Sequence, residues 1–208
     1  MMDYQTAGKA ATAELTEKRS RFLSYCFPAA SEGEALARLE EVRAQHPAAT
    51  HHVYAYVLRD NHTARYSDDG EPAKTAGLPV LDVITREGVT DCIIIVVRYF
   101  GGTLLGTGGL VRAYGKSARL ALDAAGVVTM RLSACYGGAV QYPDWGRFQN
   151  IINNAGAVLE EPIYTDAIGV RVWVEKQAEE ALVREITDQF SAAIRLDRLE
   201  ERYFPLPG

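Results

Sequence analysis

Four basic residues, Arg98, Arg112, Lys116 and Arg119, stand in a stretch from Cys92 to Leu122 that contains no Asp or Glu, a local net charge of +4. Arg112, Lys116 and Arg119 are spaced i, i+4 and i+7, so on a helix turning about 100° per residue they share one narrow face. Two glycine pairs, Gly101-Gly102 and Gly108-Gly109, separate Arg98 from Arg112, with Gly106 between them. Glycine-rich backbone leading into a helix presents N–H groups and the positive helix end to an anion. The competing account is a solvated basic face on a core helix.

A second group of chemistry-bearing residues lies in Ser67-Asp68-Asp69-Gly70-Glu71-Pro72. Asp68, Asp69 and Glu71 could hold Mg²⁺ or move protons. Their spacing is not that of an EF-hand loop, and a tight turn whose carboxylates cap the next helix explains them as well. Tyr54, Tyr56, Tyr99 and Phe100 are candidates for stacking on unpaired bases. Gly115-Lys116-Ser117 spells the end of a Walker motif, but Leu110 occupies the required first glycine and the triplet falls inside the helical pattern, which excludes a P-loop NTPase. Cys26, Cys92 and Cys135 are far apart and read as free thiols. The four histidines lack ligand spacing, so neither a metal site nor a cofactor is expected.

The elements that position these residues follow from periodicity. Cys92–Val97 is a β-branched apolar run too short for a helix, which predicts a strand buried on both faces. Helical spacing of Val111, Tyr114, Ala118, Ala121, Leu122 and Ala125 predicts a helix from near Leu110. Upstream, strands are expected at 12–15, 22–27, 51–58 and 64–66. A helix capped by Ser31 with Glu34, carrying Leu36, Leu39 and Val42, precedes the third of these, and a helix over 75–87 follows the last. His52, Tyr54 and Tyr56 fall on one face of the 51–58 strand, and Val53, Ala55 and Val57 on the other. After Gly126 come a strand over 128–142, a helix capped by Asp144, strands over 157–164 and 167–174, a helix over 176–190 and a strand over 192–199. The order β-α-β-β-α-β is that of a ferredoxin-like split βαβ.

With 208 residues, 48% hydrophobic and 24% charged, the chain has room for two small domains, divided at residues 1–126 and 127–208. The net charge of −5 excludes a generally basic coat, so any nucleic-acid surface must be local. Residues 1–126 hold 14 basic and 15 acidic residues and the remainder 8 and 12, so the first segment is the better one for meeting phosphate. No N-terminal apolar segment or membrane-length run is present, and a cytoplasmic protein is expected.

Two long motifs resemble those of the YigZ/IMPACT family: Tyr66-Ser67-Asp68-Asp69-Gly70-Glu71-Pro72, and Val97-Arg98-Tyr99-Phe100-Gly101-Gly102 continuing through Leu105-Gly106-Thr107-Gly108-Gly109-Leu110-Val111-Arg112-Ala113-Tyr114. The resemblance implies an α+β protein. Its N-terminal domain would be folded like the second domain of a small-subunit ribosomal protein and domain IV of EF-G, and its C-terminal domain would be ferredoxin-like. It implies a regulatory role in translation for eukaryotic relatives and supplies no reaction. Three functions remain in view. One is an RNA- or ribosome-associated factor that contacts phosphate through Arg98, Arg112, Lys116, Arg119 and the glycines. Another is a regulator that binds a protein of the translation apparatus without nucleic acid. The last is an enzyme acting on a phosphorylated substrate, with Mg²⁺ on the acidic turn.

Overall fold

The computed structural model describes residues 3–206, an α+β chain that divides into two compact units, one built from residues 5–127 and the other from Asp3, Tyr4 and residues 128–206. After β1 (Tyr4–Ala7), which is not part of its sheet, the first unit forms a five-stranded antiparallel sheet of β2 (Ala11–Glu17), β3 (Ser20–Pro28), β4 (His51–Leu58), β5 (Thr63–Ser67) and β6 (Cys92–Tyr99), in the order β2-β3-β6-β4-β5. Helix α1 (Glu32–Gln45) covers one face of the sheet, while α2 (Gly77–Arg86) and α3 (Thr107–Ala125) cover the other.

Strand β6 sits in the middle of this sheet because all of its side chains from Cys92 to Val97 are apolar and 0% exposed. Ile93, Ile95 and Val97 join the α1 core, and Cys92, Ile94 and Val96 join the α2/α3 core. Each such side chain is worth about 1.5–3 kcal/mol when buried, so the position with helices on both sides is the one that gains most. Arg98 extends the even-numbered row and faces α3. Its cross-strand neighbours are Phe22 on β3 and His51 on β4.

Three local features differ from expectation. Helix α1 buries Ala35, Leu39 and Val42, with Leu36 left 39% exposed, because the sheet-facing stripe runs one residue earlier. Its N-terminus is the expected box, with the Glu34 N–H donating to Ser31 Oγ, although the Glu34 carboxylate reaches the Ala30 N–H rather than that of Ser31. Helix α3 begins at Thr107 rather than near Leu110, so Gly108 and Gly109 belong to its first turn and not to the loop.

In the second unit β7 (Val127–Val140), α4 (Trp145–Asn154), β8 (Val158–Leu159), β9 (Ile163–Tyr164), β10 (Ile168–Glu175), α5 (Glu179–Gln189) and β11 (Leu196–Pro205) give β11-β7-β10-β8 across the sheet, all antiparallel. This is the fourth-first-third-second order of a ferredoxin-like unit. The single strand expected over 157–164 is two short pieces because Pro162, between them, has no N–H for the ladder. The last strand starts four residues later than expected because Ser191 and Ala192 take left-handed conformations, φ 50° and 60°. Asp144 stands before α4 but makes no capping bond; a 3₁₀ turn over Tyr142–Asp144 leads into the helix instead.

Candidate anion-binding site on the glycine loop

The two motifs meet around Glu71. Its carboxylate, on a side chain 4% exposed, accepts from Arg98 Nη1 at 2.5 Å and from the Tyr114 hydroxyl at 2.7 Å, tying the acidic turn to β6 and α3. Arg98 is 4% exposed and its Nη2 donates to Ser20 Oγ at 3.2 Å. Burial, and after it the Glu71 charge, push the Tyr114 hydroxyl far above the usual phenol range, so it remains a donor. His51 donates from Nδ1 to the Asp69 carbonyl, which can only accept, at 2.7 Å, and this turns Nε2 toward Glu71 at 3.8 Å.

The other two carboxylates of the acidic turn are also engaged by the fold. Asp68 accepts from the backbone N–H groups of Lys74, Ala76 and Gly77 at 2.8, 3.0 and 2.8 Å, supplying the cap that Ala76 itself lacks at the start of α2. Asp69 accepts from the His52 N–H at 2.6 Å. Of the two accounts of this turn, helix capping and loop fastening describe what its carboxylates do. Among the described residues no group of three or more His, Cys, Asp or Glu is placed to hold a metal.

The glycine loop is shaped from both ends. A Cβ on Gly101 would lie 2.0 Å from the Arg19 carbonyl oxygen, so only glycine lets the loop pass the β2–β3 hairpin. That hairpin turns through Lys18 and Arg19, both at positive φ (43° and 68°), the geometry of a two-residue connection. Ser20 Oγ also accepts the Gly101 N–H at 3.3 Å, fastening loop to hairpin. Gly106, φ 71°, then opens α3 without a side-chain cap, and the first turn contains no acid. The Leu110 N–H returns to the Gly106 carbonyl, leaving those of Thr107, Gly108 and Gly109 as the open donors of the helix end.

Two hollows flank this helix end. One, of about 200 Å³, is bordered by Lys18 and Glu17 of the hairpin and by Arg112 and Lys116 of α3. Neither Arg112 nor Lys116 forms an ion pair among the described residues, and Arg112 reaches back toward the helix start, its Nη1 3.8 Å from where a Gly108 Cβ would stand. The other, of about 420 Å³, has walls from Pro72, Phe100, Leu104, Leu105 and Leu110 over a floor containing Arg98, His51 and Glu71, whose carboxylate is occupied by Arg98 and Tyr114. Leu105 borders both.

The candidate residues therefore separate. Arg112 and Lys116 stay together along one groove of α3, with Lys18 added by the hairpin. Arg119 is engaged by Asp123 at 2.8 Å and by Glu87, so its charge is already matched. Arg98 is an internal partner of Glu71 rather than an exposed phosphate contact. Tyr54, Tyr56 and Tyr99 fall on the α1 face of the sheet, opposite α3, because strand side chains alternate. Tyr56 is 2% exposed with its hydroxyl bound to Glu32, and the Tyr99 hydroxyl pairs with His46 Nδ1 at 2.9 Å. Of the four aromatic candidates, Phe100, 46% exposed, is the one that borders either of these two hollows. Ser20, His51 and Lys18 joined through strand register and hairpin geometry, which no local pattern in the sequence announced.

Residues 18–122 match the Impact N-terminal domain, and residues 139–193 match a domain of unknown function, DUF1949. The IMPACT family member YvyE of Bacillus subtilis is 34% identical over 186 residues, covering 89% of this chain and 86% of that protein. A family member from Thermus thermophilus is 42% identical over 151 residues, covering 73% and 82%. Escherichia coli YigZ is 47% identical over 108 residues, covering 50% and 53%. A crystal structure of a hypothetical protein superposes with a TM-score of 0.61 at 30% identity, covering 97% of this chain and 100% of that one. A family model over half of the chain and a relative matched along most of its length identify this protein as a member of the IMPACT family.

Proposed function

We propose that this protein is a cytoplasmic, translation-associated regulatory factor that binds RNA through its phosphates, using the end of α3 and the groove beside it. The observation that carries the reading is an uncapped helix N-terminus followed, on the same helix, by Arg112 and Lys116, two cations without an ion pair among the described residues that line one groove. An anion at that end would satisfy open N–H groups and offset the mutual repulsion of the cations. The regulatory and translational part rests on membership of the IMPACT family. No helix among the described residues is long and apolar enough to cross a membrane.

Fluorescence anisotropy of the full chain with short single-stranded RNA, measured across a salt series, tests this. The double variant Arg112→Ala/Lys116→Ala is expected to lower the log–log salt slope by roughly 0.7 per cation removed and to weaken unrelated sequences alike. Arg119→Ala, whose charge is already matched, should do much less. Wild-type affinity and slope in a folded double variant would refute the reading.

A further inference from the structure

The larger hollow has the make-up of a ligand site, and nothing in the phosphate-binding reading uses it. Its volume of about 420 Å³ falls within the roughly 300–1,000 Å³ usual for small-molecule sites, and its walls are apolar with a few polar groups at the floor. Phe100 and Leu104 stand 46% and 82% exposed at its mouth, a placement that core packing does not call for. Arg98 on the floor is 4% exposed. Two of its nitrogens are engaged by Glu71 and Ser20, yet its Nε is a buried donor with no partner among the described residues. His51, its ring held in place by Nδ1 donating to the Asp69 carbonyl, adds a second polar edge. Thr107, the first residue of α3, is part of the rim, so the open N–H groups of the helix end border the same space.

We propose that this cleft holds one unpaired nucleotide of a bound RNA strand, its base against Phe100 and Leu104 and its phosphate on the first turn of α3. The proposal rests on the reading of this protein as an RNA-binding factor and names what the cleft beside the groove takes. The occupant must combine a flat apolar body, an edge group able to accept from Arg98 Nε, and an anionic group that reaches the helix end. Leu105 borders the cleft and the Arg112/Lys116/Lys18 groove alike, so the positive path continues past the cleft. A lone carboxylate or phosphate would leave that continuation unused. A chain of evenly spaced phosphates carrying aromatic rings occupies both, which favours single-stranded nucleic acid over an acidic peptide.

The experiment compares three probes on the full chain: a single-stranded RNA hexanucleotide, a short inorganic polyphosphate, and an acidic hexapeptide containing one phenylalanine. The variants are Phe100→Ala, Thr107→Glu and Arg112→Ala/Lys116→Ala. Phe100→Ala is expected to weaken RNA roughly tenfold or more and to leave polyphosphate unchanged, because only the base stacks. Thr107→Glu should weaken both probes by about tenfold. It should not lower the unfolding midpoint, because an acid in the first turn suits the helix dipole, and this separates lost binding from lost folding. If the double variant weakens RNA while Phe100→Ala and Thr107→Glu do not, the cleft proposal is overturned and the groove reading survives. If the cleft variants weaken RNA and the double variant does not, the cleft proposal stands and the groove reading falls. Peptide binding that equals that of RNA and drops equally in Phe100→Ala would overturn the nucleotide assignment in favour of a protein partner, and absence of RNA binding by the wild type would overturn both readings.

Discussion

Arg98 and Glu71 show how a buried charge becomes an organising contact. Neither group is exposed enough for water to satisfy it, so each depends on the other and on Tyr114 and Ser20. Removing one member of such a pair leaves an uncompensated charge and costs about 3–5 kcal/mol, far more than losing an exposed pair such as Arg21–Glu14, whose charges water and salt screen. Urea titration of Glu71→Ala is therefore expected to show a loss of that size. Replacing both charges, Arg98→Met with Glu71→Gln, should recover a good part of it, since no lone charge remains. Losses in the two single variants that simply add in the double would show that the residues do not act as a pair. The ring of Phe22, 5.5 Å from the Arg98 guanidinium, and that of Phe100, 5.4 Å away, explain how a cation is tolerated there.

Glycines of the same motif do different work at the scale of elements. Gly101 is fixed by the passing hairpin backbone, whereas Gly115, inside α3 and with nothing within 4 Å of its Cβ position, is not. Gly115→Ala is expected to stabilise the protein by about 0.5–1 kcal/mol through helix propensity, and Gly101→Ala to destabilise it severely. Thermal unfolding of the two variants distinguishes these roles; a midpoint lowered by Gly115→Ala would point to a neighbour requiring that gap. The same contrast marks how far the sequence could be read. The β6 run, the α3 stripe, the Ser31 box and the ferredoxin-like order were legible because each depends on local periodicity or capping. The packing of Tyr54 and Tyr56 on the α1 face and the gathering of His51 and Ser20 depend on which strands pair and in what register, which is set by contacts distant in sequence. The final strand was placed too early because the left-handed Ser191 and Ala192 delay its entry into the sheet, and its charged run Glu200, Glu201 and Arg202 carries no apolar pattern that would mark where it begins.

At the scale of the whole molecule, each unit has a core of its own. The two clusters that sandwich the first sheet contain only residues between Ala7 and Ala125, and those of the second unit only residues between Ala134 and Leu206. A chain of about 120 residues with cores on both sheet faces is large enough to fold alone. The fragment 5–127 is therefore expected to unfold cooperatively, and acid provides an independent marker of the unit it lacks. Glu179 belongs to the second unit, 8% exposed, accepting from Tyr136, Lys176 and Arg198 at 2.7, 2.5 and 2.8 Å. Burial alone would raise its pKa, but these donors outweigh it and hold the carboxyl down, from 4.5 to about 2. Since the folded pKa is the lower one, the ionised group stabilises the unit fully above about pH 4.5, and that contribution, on the order of 2 kcal/mol, is lost as pH falls toward 2. Unfolding free energies measured between pH 5 and 2 should show this loss in the full chain, a smaller loss in Glu179→Gln, and none of the Glu179 component in the fragment. A fragment that is unfolded at neutral pH would disprove the independence of the first unit, and a full-chain acid profile unchanged by Glu179→Gln would remove Glu179 as the source of the slope.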